Sequence, residues 1–408
     1  MKSKRIITVG SLCLMLILVA LSAVMACTPK GAAPPPEAKT LKIGAIWTLS
    51  GYGSEAEILM KEGAEMCRDW INEKGGITIK GEKYLIELII EDSKASNDGA
   101  VAAAIKLVEQ DQVKFILGQV HPMQIIAAGS VTEPAKVLRS LTWGGGVPGT
   151  LGSDVPYTFR VVPCGLEVTP ITYDYLVENY PNVKTVSIIN PDDPGGQAFT
   201  AVSEIMAQAH GLTVVAKEFY PDYEQQDFYP VLTKVLAAKP DAIDSGTGFP
   251  LPTTLKLKQA RELGFTGPMF NQSPVRLDTI LSIVGKEFGT NYFNVSLDVN
   301  MPNCPPMIKE LQKRWEAKST APFEFERFQG WDALWCLTQA IEKAQSLDTT
   351  EVKTAWENMT TIEATFGTSH MGGLKTYGAN NLVVTPVPVS RLMNGKVEST
   401  KWYMPDIP

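Results

Sequence analysis

The chain has few cysteines, few histidines and a deficit of basic charge. Its 408 residues include six cysteines and three histidines. No CxxC pair occurs, and the histidines stand apart at 121, 210 and 370, so no ligand set for a structural zinc is present. Lys and Arg number 37 against 44 Asp and Glu, giving a net charge of −7. An acidic balance argues against nucleic acid as a partner, because that binding needs basic patches. No GxSxG elbow, HExxH helix or phosphate-cradling P-loop appears. Nothing therefore joins a nucleophile to a base, and neither catalysis nor a cofactor is expected. After the first thirty residues no long apolar run follows, so nothing later should span a bilayer.

What is there begins at the N-terminus. Lys2, Lys4 and Arg5 precede an uncharged apolar run over 6–26, which ends Val24-Met25-Ala26-Cys27. A basic start, an apolar stretch and a small residue before the cut form a secretory signal. A cysteine directly after the cut is what a bacterial lipoprotein presents for lipidation. Cys27 is the expected lipidation site, with 1–26 as signal peptide and 27–40 as a Pro-rich tether through Pro34-Pro35-Pro36. Each acyl CH₂ buried in a bilayer is worth roughly 0.8 kcal/mol, so such an anchor holds. The alternative, an uncleaved transmembrane helix, leaves Cys27 without a role. Once Cys13 leaves with the signal and Cys27 is acylated, Cys67, Cys164, Cys304 and Cys336 remain. A Cys164–Cys304 bridge is open in an oxidising compartment, while Cys67 and Cys336 sit in helical patterns as buried hydrophobes.

From residue 41 strands and helices alternate. Residues 41–46 read as a strand, and Leu59, Gly63, Met66, Cys67, Trp70 and Ile71 recur at helical spacing. Strands follow at 84–90, 113–117 and 137–141, with helices at 98–109 and 124–135 between them. The rhythm restarts with helices at 170–179, 196–209 and 253–263 and strands at 185–189, 212–218, 241–244 and 268–270. Residues 305–359 are almost wholly helical, with Leu334, Leu337, Ile341 and Ala344 forming one apolar face. Strand patterning returns near 382–392. This order predicts an α/β fold of doubly wound parallel sheets in two lobes. Ligands of such sheets sit beyond the carboxyl ends of the strands. The loops at 50–53, 118–123, 142–146, 193–196 and 247–252 should line a cleft between the lobes.

The phrases Lys42-Ile-Gly-Ala-Ile-Trp-Thr-Leu-Ser-Gly51, Trp70-Ile-Asn-Glu-Lys-Gly-Gly-Ile77, Val113-Lys-Phe-Ile-Leu-Gly118 and Gln329-Gly-Trp-Asp-Ala-Leu334 carry a resemblance. In order and spacing the chain resembles the periplasmic solute-binding proteins of ABC transporters related to the leucine/isoleucine/valine-binding protein. That likeness implies a periplasmic binding protein type I fold, with a three-segment hinge near 159–164, 294–301 and 365–377. One lobe would hold 41–160 and 300–365, the other 161–299 and 366–408. It also implies a small-molecule solute, an ABC permease of the inner membrane as partner, and a monomer tethered to the membrane through Cys27. A sensory ligand-binding domain shares the fold and is the competing class.

The family's amino-acid binders hold the ligand carboxylate with a serine in the first loop and the ammonium with an acidic residue and tyrosines of the second lobe. Here His121, Pro122 and Met123 stand in the first loop. Thr142 and Gly144 match the second loop and flank Trp143. Pro194 replaces the tyrosine before Gly195, Phe249 lies near the second tyrosine, and Ser273 lies near the acid. A buried zwitterion needs a charged counterpart, so losing the acid points away from amino acids. Trp47, Met123, Trp143 and Phe249 would form apolar walls around a flat solute such as an aromatic carboxylate, with His121, Thr142 and Ser273 as polar contacts. Asp193 and Gly195 open a helix where an anion could sit. Branched-chain or other amino acids remain the alternative ligand. The bland readings are a core role for Trp47 and Trp143, a helix cap for His121, a capped turn around Asp193, and a surface or hinge segment around Glu324 and Arg327.

Overall fold

The computed structural model describes residues 38–407 except 145–146, 222–224, 300, 302–303 and 325. The expected signal peptide, the expected lipidation site Cys27 and most of the Pro-rich tether lie outside these residues. Among the described residues no helix is long and apolar enough to cross a membrane.

Two sheets organise the chain. The first has nine strands, in the order Ile362–Ala364, Gly367–Gly372, Leu382–Val384, Thr158–Arg160, Leu138–Leu141, Phe115–Leu117, Lys39–Trp47, Glu82–Asp92 and Ile77–Ile79. Its centre is parallel: β1 (Lys39–Trp47) lies between β3 (Glu82–Asp92) and β4 (Phe115–Leu117), followed by β5 (Leu138–Leu141) and β6 (Thr158–Arg160). The second has seven strands. β8 (Thr213–Tyr220), β7 (Thr185–Pro191), β9 (Ala242–Asp244), β10 (Met269–Asn271) and β11 (Tyr292–Asn294) run parallel, and β15 (Val387–Met393) and β16 (Lys396–Tyr403) complete it.

The edges depart from the all-parallel expectation. β2 (Ile77–Ile79) pairs antiparallel with β3 across Lys80-Gly81, and β15 pairs antiparallel with β16 across Asn394-Gly395. All four turn residues have positive φ, at 49°, 82°, 52° and 69°. Two such residues form the tight turn whose twist matches a hairpin, and Asn-Gly is its strongest sequence signal.

Three passages join the lobes before the C-terminal tail crosses back. Val162 packs in the first core and Val168 in the second; Val295 packs in the second and Leu297 in the first. The third passage does not lie at 365–377. β12 (Ile362–Ala364), β13 (Gly367–Gly372) and β14 (Leu382–Val384) all belong to the nine-stranded sheet, β14 pairing Leu382 with Arg160. Residues 366–384 thus go with the first sheet, and the chain leaves it only between Val384 and Val387. The tail then returns, with Ile407 packed on Leu151, Leu382 and Val384. The first passage is fixed by a buried ion pair. Arg160 Nη2 donates to Glu167 Oε1 at 2.7 Å, Tyr377 OH donates to the same oxygen, and Cys164 N–H donates to Glu167 Oε2 at 2.7 Å. With the Glu167 carboxylate capping it, the helix Gly165–Asn179 begins five residues before the expected start.

The helical third section covers the first sheet. Helix Glu326–Ala344 is buried on nearly every face rather than one, because the sheet, helix Ser54–Glu73 and helix Thr349–Glu357 surround it. Ser140 Oγ of β5 donates to Ala333 O at 2.7 Å. Two glycines let the helices touch backbone to backbone. A Cβ on Gly330 would stand 1.7 Å from Met60 O, and one on Gly63 would stand 2.0 Å from Arg327 O. Phe159 stacks on Trp356 with centroids 4.3 Å apart, worth about 0.5–1.5 kcal/mol beyond its burial. Cys67, Cys164, Cys304 and Cys336 are all buried thiols, so the bridge between Cys164 and Cys304 is not made.

Candidate functional site

The carboxyl ends of β1, β4 and β5 in one lobe, and of β7, β9 and β10 in the other, open onto a single cleft of about 330 Å³. That volume suits one small organic molecule. Three helices that start at the cleft share a local device. His121-Pro122, Asp193-Pro194 and Phe249-Pro250 each place an N-cap residue before a proline at the first helical position. Proline disfavours helical backbone in the residue before it, and its own fixed φ suits the first turn. The three preceding residues are accordingly extended, with ψ of 120°, 171° and 167°, and all three line the cleft.

Each of the five loops read as cleft-facing contributes a lining residue. Tyr52 comes from 50–53; Val120, His121, Pro122 and Met123 from 118–123; Trp143 from 142–146; Asp193 and Gly195 from 193–196; Thr247, Gly248, Phe249 and Pro250 from 247–252. Ser273 lines it from the loop after β10. The wall is largely apolar and includes several aromatic rings. Tyr52 meets Phe249 of the other lobe edge to face at 5.9 Å, and its ring lies 6.0 Å from His121.

Three expected residues do not reach the cleft. Trp47 is wholly buried in the first-lobe core, and its ring closes on Gly118, where a Cβ would stand 2.9 Å from it. Thr142 Oγ1 donates inward to Gln119 O at 3.1 Å. Gly144 O accepts from Thr150 Oγ1 at 3.2 Å within its own loop. Strand-end position alone could not separate these from Trp143, because alternate residues of a strand face opposite ways.

Other lining residues escaped sequence reasoning. Glu326, in the run read as surface or hinge, and Gln329, one turn on, reach the cleft from the start of helix Glu326–Ala344. Phe199 enters from helix Pro194–Ala209. The only signal for Glu326 was an acidic residue before an apolar helix, which is also an ordinary helix start.

The electrostatics follow from burial. Glu57, behind His121, is 1% exposed. Its Oε2 accepts from Thr48 N–H at 2.9 Å, while Oε1 has no hydrogen-bond donor and sits 3.7 Å from His121 Nε2. Burial raises the Glu57 carboxyl to about 7, against the Thr48 amide that lowers it. Burial lowers His121 below its usual value, opposed by Asp193 across the cleft. Near pH 7 His121 is therefore mostly neutral, and Glu57 is close to half protonated. Burial likewise lifts Glu326 to about 7. Beneath the second-lobe wall, Lys256 Nζ donates to Ser245 O and, at 3.4 Å, to Thr247 O, and burial lowers it to about 7. Among the described lining residues the charged side chains are Asp193 and Glu326, with no Lys or Arg. No group of three metal-ligating side chains occurs among the described residues.

The profile of the periplasmic binding protein family matches residues 40–396. The Leu/Ile/Val-binding protein BraC3 of Rhizobium johnstonii is 25% identical over 334 residues, covering 80% of this chain and 86% of its own. Among solved structures, LivJ of Streptococcus pneumoniae in complex with isoleucine shares 20% identity at a TM-score of 0.74, covering 90% of this chain and all (100%) of its own. A solute-binding protein of an ABC transporter from Rhodopseudomonas palustris, in complex with 3,4-dihydroxybenzoic acid, shares 20% identity at a TM-score of 0.70, covering 90% and 96%. At these identities the solved structures establish a common two-lobed fold.

Proposed function

We propose, from the premise that this chain belongs to the periplasmic binding protein family, that it is the extracytoplasmic solute-binding component of an ABC importer. It takes up one small organic solute between its lobes, closes about the three passages, and presents the solute to a permease. The observation that carries this reading is the cleft itself: about 330 Å³, walled from both lobes by loops at strand carboxyl ends. The chain is exported and works at the outer face of the membrane, acylated at Cys27. Mass spectrometry of the N-terminal peptide checks this, and an unacylated Cys27 would exclude it.

The solute is a small acid with an apolar, flat body. Tyr52, Trp143, Phe199 and Phe249 supply the walls. The helix starts at Pro122, Pro194 and Pro250 turn their positive ends toward a carboxylate. The fold holds 3,4-dihydroxybenzoate in one neighbour, which fits this chemistry. Amino acids are the second reading, favoured by the two carboxylates in the lining. A thermal-shift screen of aromatic acids and amino acids tests the assignment. A ligand at 100 times its Kd stabilises by about 2.7 kcal/mol, which raises the melting temperature measurably. No shift with any apolar acid, with or without an amine, would overturn the ligand class. Chemical turnover of the bound ligand would overturn the binding role.

A further inference from the structure

We infer that Glu57 is a proton store for His121: it keeps a proton behind the cleft wall, and an entering solute carboxylate draws that proton onto the imidazole, which becomes the cation of the site. The inference rests on the proposed reading of the solute as an acid. Among the described lining residues there is no Lys or Arg, and the charged side chains are Asp193 and Glu326. Arg276 and Arg327 act on Glu326 but do not line the cleft. A carboxylate taken out of water needs a positive or multiply hydrogen-bonded partner. Of the described lining residues only His121 can become positive.

The geometry brings the two groups together. Glu57, on helix Ser54–Glu73, is 1% exposed. Its Oε2 accepts from Thr48 N–H at 2.9 Å, while Oε1 has no hydrogen-bond partner and lies 3.7 Å from His121 Nε2. Gly53, the residue before that helix, makes room for the ring, since a Cβ there would stand 2.7 Å from His121 Nε2. The His121 side chain makes no capping bond to its own helix, so capping does not engage the ring.

The other groups acting on the pair are acidic. Asp92, at the end of β3, favours a proton on Glu57, and Asp193 of the other lobe favours one on His121. Burial and the positive start of helix Pro122–Thr132 oppose a charged ring in the empty cleft. Below about pH 7 the proton therefore rests on Glu57. An anion beside His121 reverses that order. The Glu57 O–H bond breaks and its electron pair stays on the carboxylate. An N–H bond forms at His121 Nε2 as the ring closes the 3.7 Å gap. The imidazolium then lies between two anions, each of which favours its charged form. Above pH 7 the store is empty, the proton comes from water, and affinity should fall by up to about tenfold per pH unit.

The test uses the purified, untagged full chain with benzoate, 3,4-dihydroxybenzoate, 4-methylpentanoate and leucine as probes. The three histidines give three imidazole NMR signals, and His121→Gln identifies the one of interest. At pH 8 a saturating acid should turn the His121 signal from neutral to imidazolium. Calorimetry in buffers of different ionisation enthalpy should then read an uptake of about one proton, falling toward none at pH 6. Glu57→Gln should move the His121 midpoint in the complex toward acid by a full pH unit or more. An acid that binds while His121 stays neutral, or an unmoved midpoint in Glu57→Gln, would overturn the inference and leave the acid reading standing. Binding of none of the four probes would overturn both. The wild-type signal at pH 8 decides the matter even if a variant fails to fold.

Discussion

Replacing Glu57 by glutamine should make the protein more stable at alkaline pH, although it removes a charged group. Glu57 is 1% exposed, keeps one backbone donor, and has one oxygen without any. Its folded-state carboxyl sits near 7 instead of its ordinary 4.5. A raised carboxyl means that the folded state holds its proton more tightly than the unfolded state does. The resulting stability is fully present below about pH 4.5, falls as pH rises, and is gone above about pH 7. Raising the carboxyl from 4.5 to about 7, at about 1.4 kcal/mol for each tenfold change in proton affinity, is on the order of 3 kcal/mol. Glutamine retains an acceptor for Thr48 N–H and does not titrate. The stability of the variant relative to the wild type should therefore improve by about 3 kcal/mol between pH 4.5 and pH 8.5. The difference isolates Glu57, because Asp332 and Glu326 are also raised to about 7 and tilt both proteins alike. Urea unfolding at several pH values, with the slope m checked for constancy, reads it directly. A difference that stays within about 0.5 kcal/mol across that range would refute the assignment of an uncompensated buried carboxyl beside His121.

Two further outcomes follow from the packing. Trp143 is half-buried in the cleft wall, so Trp143→Ala should weaken solute binding by about 2 kcal/mol or more while leaving the melting temperature of the unliganded protein nearly unchanged; unchanged affinity in calorimetry would remove it from the site. Gly330→Ala places a methyl group 1.7 Å from Met60 O, where backbone cannot yield locally. It should cost roughly 1–3 kcal/mol or more by overpacking and also weaken binding, since the same helix turn carries Glu326 and Gln329; wild-type stability in chemical denaturation would contradict the backbone contact.

The two-lobed α/β plan was legible because it rests on local signals. Alternating apolar strands and helices, punctuated by glycine and proline, announce which segments lie inside a sheet and which cover it. The cleft loops were legible for the same reason. His121, Asp193 and Phe249 each precede a proline at a helix start, so short-range sterics aim them outward from a strand end. The helix Tyr229–Ala237 and the hairpin at Asn394-Gly395 also carry local signals, a proline in the first turn and an Asn-Gly turn.

What the sequence by itself determined is therefore the set of building blocks, the cleft-facing loops and the chemical character of the wall. Tertiary structure decided the rest, because it depends on contacts between segments far apart in the chain. Thr142 and Trp143 are neighbours in sequence, yet one hydroxyl turns in to Gln119 while the other ring lines the cleft. The sheet that claims β13 and β14 is set by pairing with β6, which no local pattern encodes. Glu326 reads in sequence as an ordinary acidic helix start. It comes to line the cleft where Gly63 and Gly330 let two helices close on each other backbone to backbone.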